Sequence, residues 1–207
     1  MLESDARLAA AAATQHGQFT RVQARSAGFS AAQIDRRLRA AVWKRVLPSV
    51  YRHAAVPESG AARNWAAVLW AGPGCAVSHA TAATIWGIVG RAGARPELIV
   101  PQARGLRAAG IVVHRVAGIG DEDVVRVRGL PITSPVRTII DLAGVLDEAH
   151  LGVALAAARA RRLVTVRAVR VRLDEIGSVG RPGSARLRTL LAAVGSGWVD
   201  PSARMAG

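Results

Sequence analysis

The chain has one cysteine, Cys75, and one lysine, Lys44, among 207 residues. A single thiol cannot close an internal disulfide or build a thiolate metal site. The five histidines are scattered with no Cys/His cluster beside them, so neither a metal nor a cofactor is expected. No apolar run reaches the 18 or so residues of a membrane span. The opening Met1-Leu2-Glu3-Ser4-Asp5 carries acids where a secretory leader carries Lys or Arg, and the alanines after it are weakly apolar. A cytoplasmic protein without a membrane partner is expected. Just over half of the residues are apolar (51%), which excludes a disordered chain and supplies a sizeable core.

Arginine is abundant. The formal net charge is +14, and its distribution separates compositional bias from function. Residues 1–53 hold nine basic and three acidic side chains. Residues 54–158 hold nine and eight, nearly neutral, whereas residues 159–188 hold nine and two. Compositional bias alone does not leave a neutral middle. Two basic blocks around it point to a polyanion, with nucleic acid first.

The first block reads as a DNA-binding module. A helix is expected over Leu2–His16, capped by Ser4 or Asp5 and stopped by Gly17. Thr20 caps a short second helix that Gly28 ends. Ser30 caps a third helix, Ala31–Ala40, and Gln33 at its third position completes a capping box. A short helix, a glycine turn and an arginine-bearing helix make a helix-turn-helix. Ile34 and Leu38 are i, i+4 partners for the core, which leaves Gln33, Arg36 and Arg37 for base edges and Arg39 near the rim. Val42–Leu47 and Val50–His53, joined by Pro48-Ser49, read as a two-stranded wing. There Lys44, Arg45 and Arg52 meet phosphates, and Arg21 opens the second helix on the same side. The fold class expected is α+β: an N-terminal winged helix-turn-helix (1–53), a mixed α/β domain with a helical, basic C-terminal part (54–195), and a frayed tail (196–207).

Further along, helices are expected over 59–71, 79–86, 135–144, 148–162, 165–176 and 184–194. Strands are expected over 75–77, 97–100, 111–115, 124–127 and 130–132. Ser78 reads as an N-cap, and Ser134 with Pro135 as a helix start. Arg137 and Asp141 pair at i, i+4. Asp121-Glu122-Asp123 reads as an exposed acidic turn. Cys75 reads as a core thiol and His114 as half-buried in a strand. Phosphate-loop and kinase signatures are absent, and no nucleophile elbow surrounds Ser78. Adjacent residues on a helix do not face each other, so Ser78 and His79 are not expected to form a nucleophile and base. No catalytic residue is assigned. Arg159, Arg162 and Arg170 head a second basic surface that also takes in Arg161, Arg167, Arg172, Arg181, Arg186 and Arg188. Either DNA or an acidic protein face suits it.

Several phrases resemble the AbiEi-type antitoxins of type IV, abortive-infection toxin–antitoxin systems. They are Thr20-Arg21-Val22-Gln23, Ser30-Ala31-Ala32-Gln33-Ile34-Asp35-Arg36-Arg37 and Trp43-Lys44-Arg45-Val46. Ser78-His79-Ala80-Thr81-Ala82-Ala83 with Ile85-Trp86-Gly87 follows, then Thr133-Ser134-Pro135-Val136-Arg137-Thr138-Ile139-Ile140-Asp141-Leu142-Ala143. The resemblance spans roughly residues 5–190. It implies a winged-helix domain that binds double-stranded DNA at its own promoter and represses it. It also implies a second domain that counteracts a nucleotidyltransferase-like toxin. Many fused relatives continue into a repair-endonuclease-like domain after a segment like 180–188; that domain is expected to be absent. Two alternatives stay open: an enzymatic antitoxin that modifies its toxin covalently, for example by phosphorylation, and a DNA-binding remnant of a nuclease fusion without an antitoxin role.

Overall fold

The computed structural model describes residues 2–90, 93, 95–177 and 181–195. The tail expected over 196–207 lies outside the described residues, as do 178–180 of the loop before the last helix. The fold is mixed α+β. The chain divides into two compact units: Met1–Val77 with Ala94–Val116 and Arg126–Pro131, and Ser78–Gly93 with Ala117–Val125 and Ile132–Gly207.

The first unit opens with α1 (Leu2–Ala13), β1 (Gln18–Thr20), α2 (Arg21–Ser26), α3 (Ala31–Arg39), β2 (Trp43–Leu47) and β3 (Val50–His53). Helix α1 stops at Ala13 and not at His16. His16 (φ 51°) and Gly17 (φ 78°) are both left-handed, and the Gly17 N–H returns to the Ala12 carbonyl at 2.8 Å. A Cβ on Gly17 would lie 2.6 Å from Val56, so glycine is required there. Neither Ser4 nor Asp5 caps α1, which begins at Leu2. Strand β1 was not expected. It pairs antiparallel with β3 (Gln18 with Arg52, Thr20 with Val50), giving a sheet of order β1-β3-β2. Thr20 and Ser30 form complete capping boxes with Gln23 and Gln33. Pro48-Ser49, with Ser49 at φ 60°, turns β2 into β3. Phe19, Phe29, Trp43, Tyr51, Ile34 and Leu8 make one core cluster. Trp43 meets Phe19 and Phe29 edge-on at 4.8 and 5.1 Å.

The same unit continues with α4 (Gly60–Ala71), which Ser59 caps through the Ala62 N–H, and β4 (Ala76–Val77). Strands β5 (Glu97–Pro101) and β6 (Val112–Val116) pair in parallel, and β4 pairs antiparallel with β5. The hairpin of β7 (Val124–Val127) and β8 (Leu130–Thr133), of which Arg126–Pro131 belong to this unit, completes a sheet of order β6-β5-β4-β8-β7. Arg128 (φ 49°) and Gly129 (φ 82°) both take positive φ in its two-residue turn, the requirement of a type I′ hairpin. Cys75 is buried, as expected. Burial pushes its thiol pKa up despite the Arg104 guanidinium nearby.

The second unit holds α5 (His79–Ile85), a 3₁₀ turn (Asp121–Asp123), α6 (Pro135–Leu142), α7 (Glu148–Ala160), α8 (Val166–Glu175) and α9 (Ser184–Gly195). Ile139, Ile140, Leu142, Leu151, Leu155 and Leu173 are core members drawn from three of its helices. Ser134, Asp147 and Thr165 each cap a helix through a side-chain oxygen. The Trp86 indole N–H donates to the Thr133 carbonyl at 2.9 Å.

Candidate functional site

Two places concentrate charged side chains. The first is α3 with the β2–β3 hairpin. Ile34 is fully buried and Leu38 half-buried, as the i, i+4 reading requires. Arg36 and Arg39, three apart on the other side of the helix, are exposed and have no ion-pair or hydrogen-bond partner among the described residues. Lys44 and Arg45 on β2 are exposed in the same way.

The other sequence-predicted residues are engaged. Arg37 is held by Asp5, with Nη2 2.7 and 2.9 Å from the two carboxylate oxygens. Its guanidinium lies 4.5 Å from the Phe29 ring centre and 5.2 Å from that of Trp43. Arg37 therefore belongs to the core side. It is three residues from Ile34, a spacing that shares a helix face as readily as i+4 does. Gln33 spends its Oε1 on the Ser30 N–H at 2.7 Å. Arg21 reaches Asp35 at 3.1 Å and the Tyr51 hydroxyl at 3.4 Å; those two contacts raise its pKa. Arg52 donates to the Val56 carbonyl at 2.5 Å.

The second place is a buried ionic network in the second unit. Arg137 is fully buried. Its Nη1 donates to Asp123 at 2.7 Å and its Nε to Asp141 at 2.8 Å. Arg172 grips the same Asp123 with two bonds, 2.9 and 2.8 Å, and also pairs with Glu122 and Glu175. Asp123 is thus buried, at 1% exposure, and only its neighbours fit the exposed acidic turn expected from sequence. A charge run is normally solvated because burial of an unpaired carboxylate is costly; here two guanidinium groups reverse that cost. Burial pushes the Asp123 carboxyl up, but the Arg172 bonds, the Gly120 N–H and the Arg137 charge outweigh it and hold the pKa below the usual carboxylate range. Asp141 goes the other way. Burial raises it against the pull of Arg137, and its Oδ2 has no partner, like Arg137 Nη2.

Ser78 stands at the N-cap position of α5 but makes no capping bond. Its hydroxyl meets Nδ1 of His79 at 2.9 Å. His79 carries φ 48°, a left-handed conformation outside regular helix geometry, so the rule that adjacent helical residues do not meet fails at this pair. His114 is half-buried and lies 2.8 Å from Glu97.

Eight of the nine arginines of the second basic block divide in two. Arg159, Arg161, Arg162, Arg167 and Arg170 are exposed. Arg172, Arg186 and Arg188 are tied down, the latter two to the carbonyls of Ala143 and Leu146 and to Asp174.

Residues 74–193, more than half of the chain, match the family model described as the AbiEi antitoxin C-terminal domain. The chain belongs to the AbiEi antitoxin family, and membership of an antitoxin family implies a toxin as partner. The match contains the Ser78–Gly87 and Thr133–Ala143 phrases and the whole Asp123–Arg137–Asp141–Arg172 network; the phrases before residue 47 lie outside it. The crystal structure of the RV2827C protein from Mycobacterium tuberculosis is similar in fold, with a TM-score of 0.60 at 18% identity. The similarity covers 93% of this chain and 77% of that one. No curated protein matches. No helix among the described residues is long and apolar enough to cross a membrane.

Proposed function

We propose that residues 1–53 are a winged helix-turn-helix that binds double-stranded DNA at the protein's own promoter in the cytoplasm. The protein is then an autoregulatory repressor as well as an antitoxin. The observation that carries the reading is the order α1-β1-α2-α3-β2-β3 with a β1-β3-β2 sheet, joined to unpaired cations on its third helix and hairpin. In this arrangement α3 enters the major groove and the hairpin lies along the backbone. Arg36 and Arg39 contact bases, where one bidentate arginine–guanine pair discriminates by about 1–3 kcal/mol. Gln33 contributes through its amide nitrogen, its oxygen being held by Ser30. Lys44 and Arg45 neutralise phosphates, helped by Arg21 and Arg52. Arg37 orients the helix against Phe29 and Trp43.

The remainder, residues 54–195, carries the antitoxin role of a type IV system against a nucleotidyltransferase-like toxin. What supports this division is the family match, which begins after the N-terminal module.

A gel-shift titration on the upstream promoter tests the DNA reading. Wild type is expected to retard the fragment, and Arg36→Ala/Arg39→Ala to weaken binding at least tenfold on that sequence. Equal retardation by both would remove α3 from the interface. Co-expression with the neighbouring toxin gene tests the antitoxin reading: growth is restored by a chain carrying Arg36→Ala/Arg39→Ala if the two roles are separate.

A further inference from the structure

A cleft of about 340 Å³ lies in the first unit beside the β2–β3 hairpin, within the size range of small-molecule sites. Its charge is one-sided: Lys44, Arg45, Arg52 and Arg63 line it against a single carboxylate, Glu58. Arg63 is partly neutralised by Glu58 at 3.2 Å, and Arg52 is anchored to the Val56 carbonyl. Lys44 and Arg45 have no partner among the described residues. The cleft also has an apolar part, from Leu47, Ala62, Ala66, Pro96 and Ile111.

Gln18 lines the same cleft. It is 1% exposed. Its Nε2 donates to the His16 carbonyl at 3.2 Å, and its Oε1 is buried with no hydrogen-bond partner. A buried amide oxygen left without a donor is unfavourable, and a ligand N–H satisfies it.

We infer that this cleft binds a mononucleotide: the phosphate on Lys44 and Arg45, the base over the apolar residues, and an amino or imino N–H of the base donated to Gln18 Oε1. The three features call for three parts of one ligand, an anion, a flat apolar body and a buried donor. Inorganic phosphate supplies only the first. Lys44 and Arg45 are also the proposed phosphate contacts of the hairpin, so nucleotide and DNA exclude each other; that clause alone rests on the DNA reading.

Isothermal titration of the full chain with AMP, GMP, CMP, UMP and inorganic phosphate, without DNA at 150 mM salt, tests the site independently of any operator. One nucleotide is expected to bind 1:1, at least tenfold tighter than phosphate. Lys44→Ala/Arg45→Ala, both exposed and therefore harmless to folding, is expected to weaken it at least tenfold. Gln18→Leu, with folding checked by its melting curve, is expected to abolish the preference for one base. No saturable binding by any nucleotide at 1 mM overturns the inference. Equal affinity for phosphate and nucleotides, which reduces the cleft to a general anion contact, also overturns it, as does unchanged binding by the Lys44/Arg45 variant.

Discussion

Replacing Arg137 by methionine separates a buried ionic network from ordinary core packing. Methionine fills similar volume but leaves two carboxylates behind. Asp123 keeps both Arg172 bonds and the Gly120 N–H at 2.9 Å, so it stays satisfied. Asp141 loses the only ion pair it has among the described residues, with its Oδ2 already unpartnered. Removing one partner of a buried pair costs about 3–5 kcal/mol. In a chain of this length that lowers the melting temperature by about 6–20 °C, at about 2–4 °C per kcal/mol. The double variant Arg137→Met/Asp141→Leu strands no carboxylate and is expected to recover most of the loss. Far-UV circular dichroism against temperature and urea reads both. A single variant within about 1 kcal/mol of wild type, or a double variant as destabilised as the sum of its parts, refutes the reading of Arg137 and Asp141 as a coupled buried ion pair.

Other outcomes follow from the same geometry. Asp123 has its folded pKa held below the ordinary carboxylate value of about 3.9. It therefore stabilises the fold above about pH 4, and that contribution is lost as pH falls through the depressed folded value. Asp123→Asn is expected to flatten the acid limb of a stability–pH curve; an unaltered limb contradicts it. Gly183 has φ 77°, and a Cβ there would lie 1.7 Å from the Ala143 carbonyl oxygen. Gly183→Ala is expected to cost about 1–3 kcal/mol from overpacking beyond the strain of a left-handed alanine. Gly110→Ala, at φ 79° with open space around it, carries the strain alone, so equal urea midpoints for the two would refute the clash. Trp43→Ala removes the ring shared by Phe19, Phe29 and Arg37 and is expected to cost about 3–5 kcal/mol, read by loss of near-ultraviolet dichroism.

Local signals were legible in the sequence where one residue type decides the outcome. Thr20, Ser30 and Ser134 announce helix starts because a side-chain oxygen satisfies an orphan N–H, and each does so. The strands around Pro48-Ser49 and the i, i+4 pair Arg137–Asp141 were equally visible. What failed depends on tertiary partners. Strand β1 has three residues, too few for a period to show, and exists because β3 offers it a ladder. Asp123 reads as solvated until Arg137 and Arg172, distant in sequence, arrive beside it. Arg37 reads as a base contact beside Arg36, and Asp5, 32 residues away, takes it to the core side. The cleft at Gln18 had no signal at all, because its walls come from segments that only folding brings together.

The salt dependence of promoter affinity tests the central claim most directly. Fluorescence anisotropy with the upstream fragment, between 50 and 200 mM salt, is expected to show a steep linear fall of log affinity with log salt, because bound cations displace counterions from the phosphates. Lys44→Ala/Arg45→Ala is expected to reduce that slope by about two. Promoter binding with a slope untouched by those two substitutions, or no binding at 50 mM salt, would contradict the account of the N-terminal module.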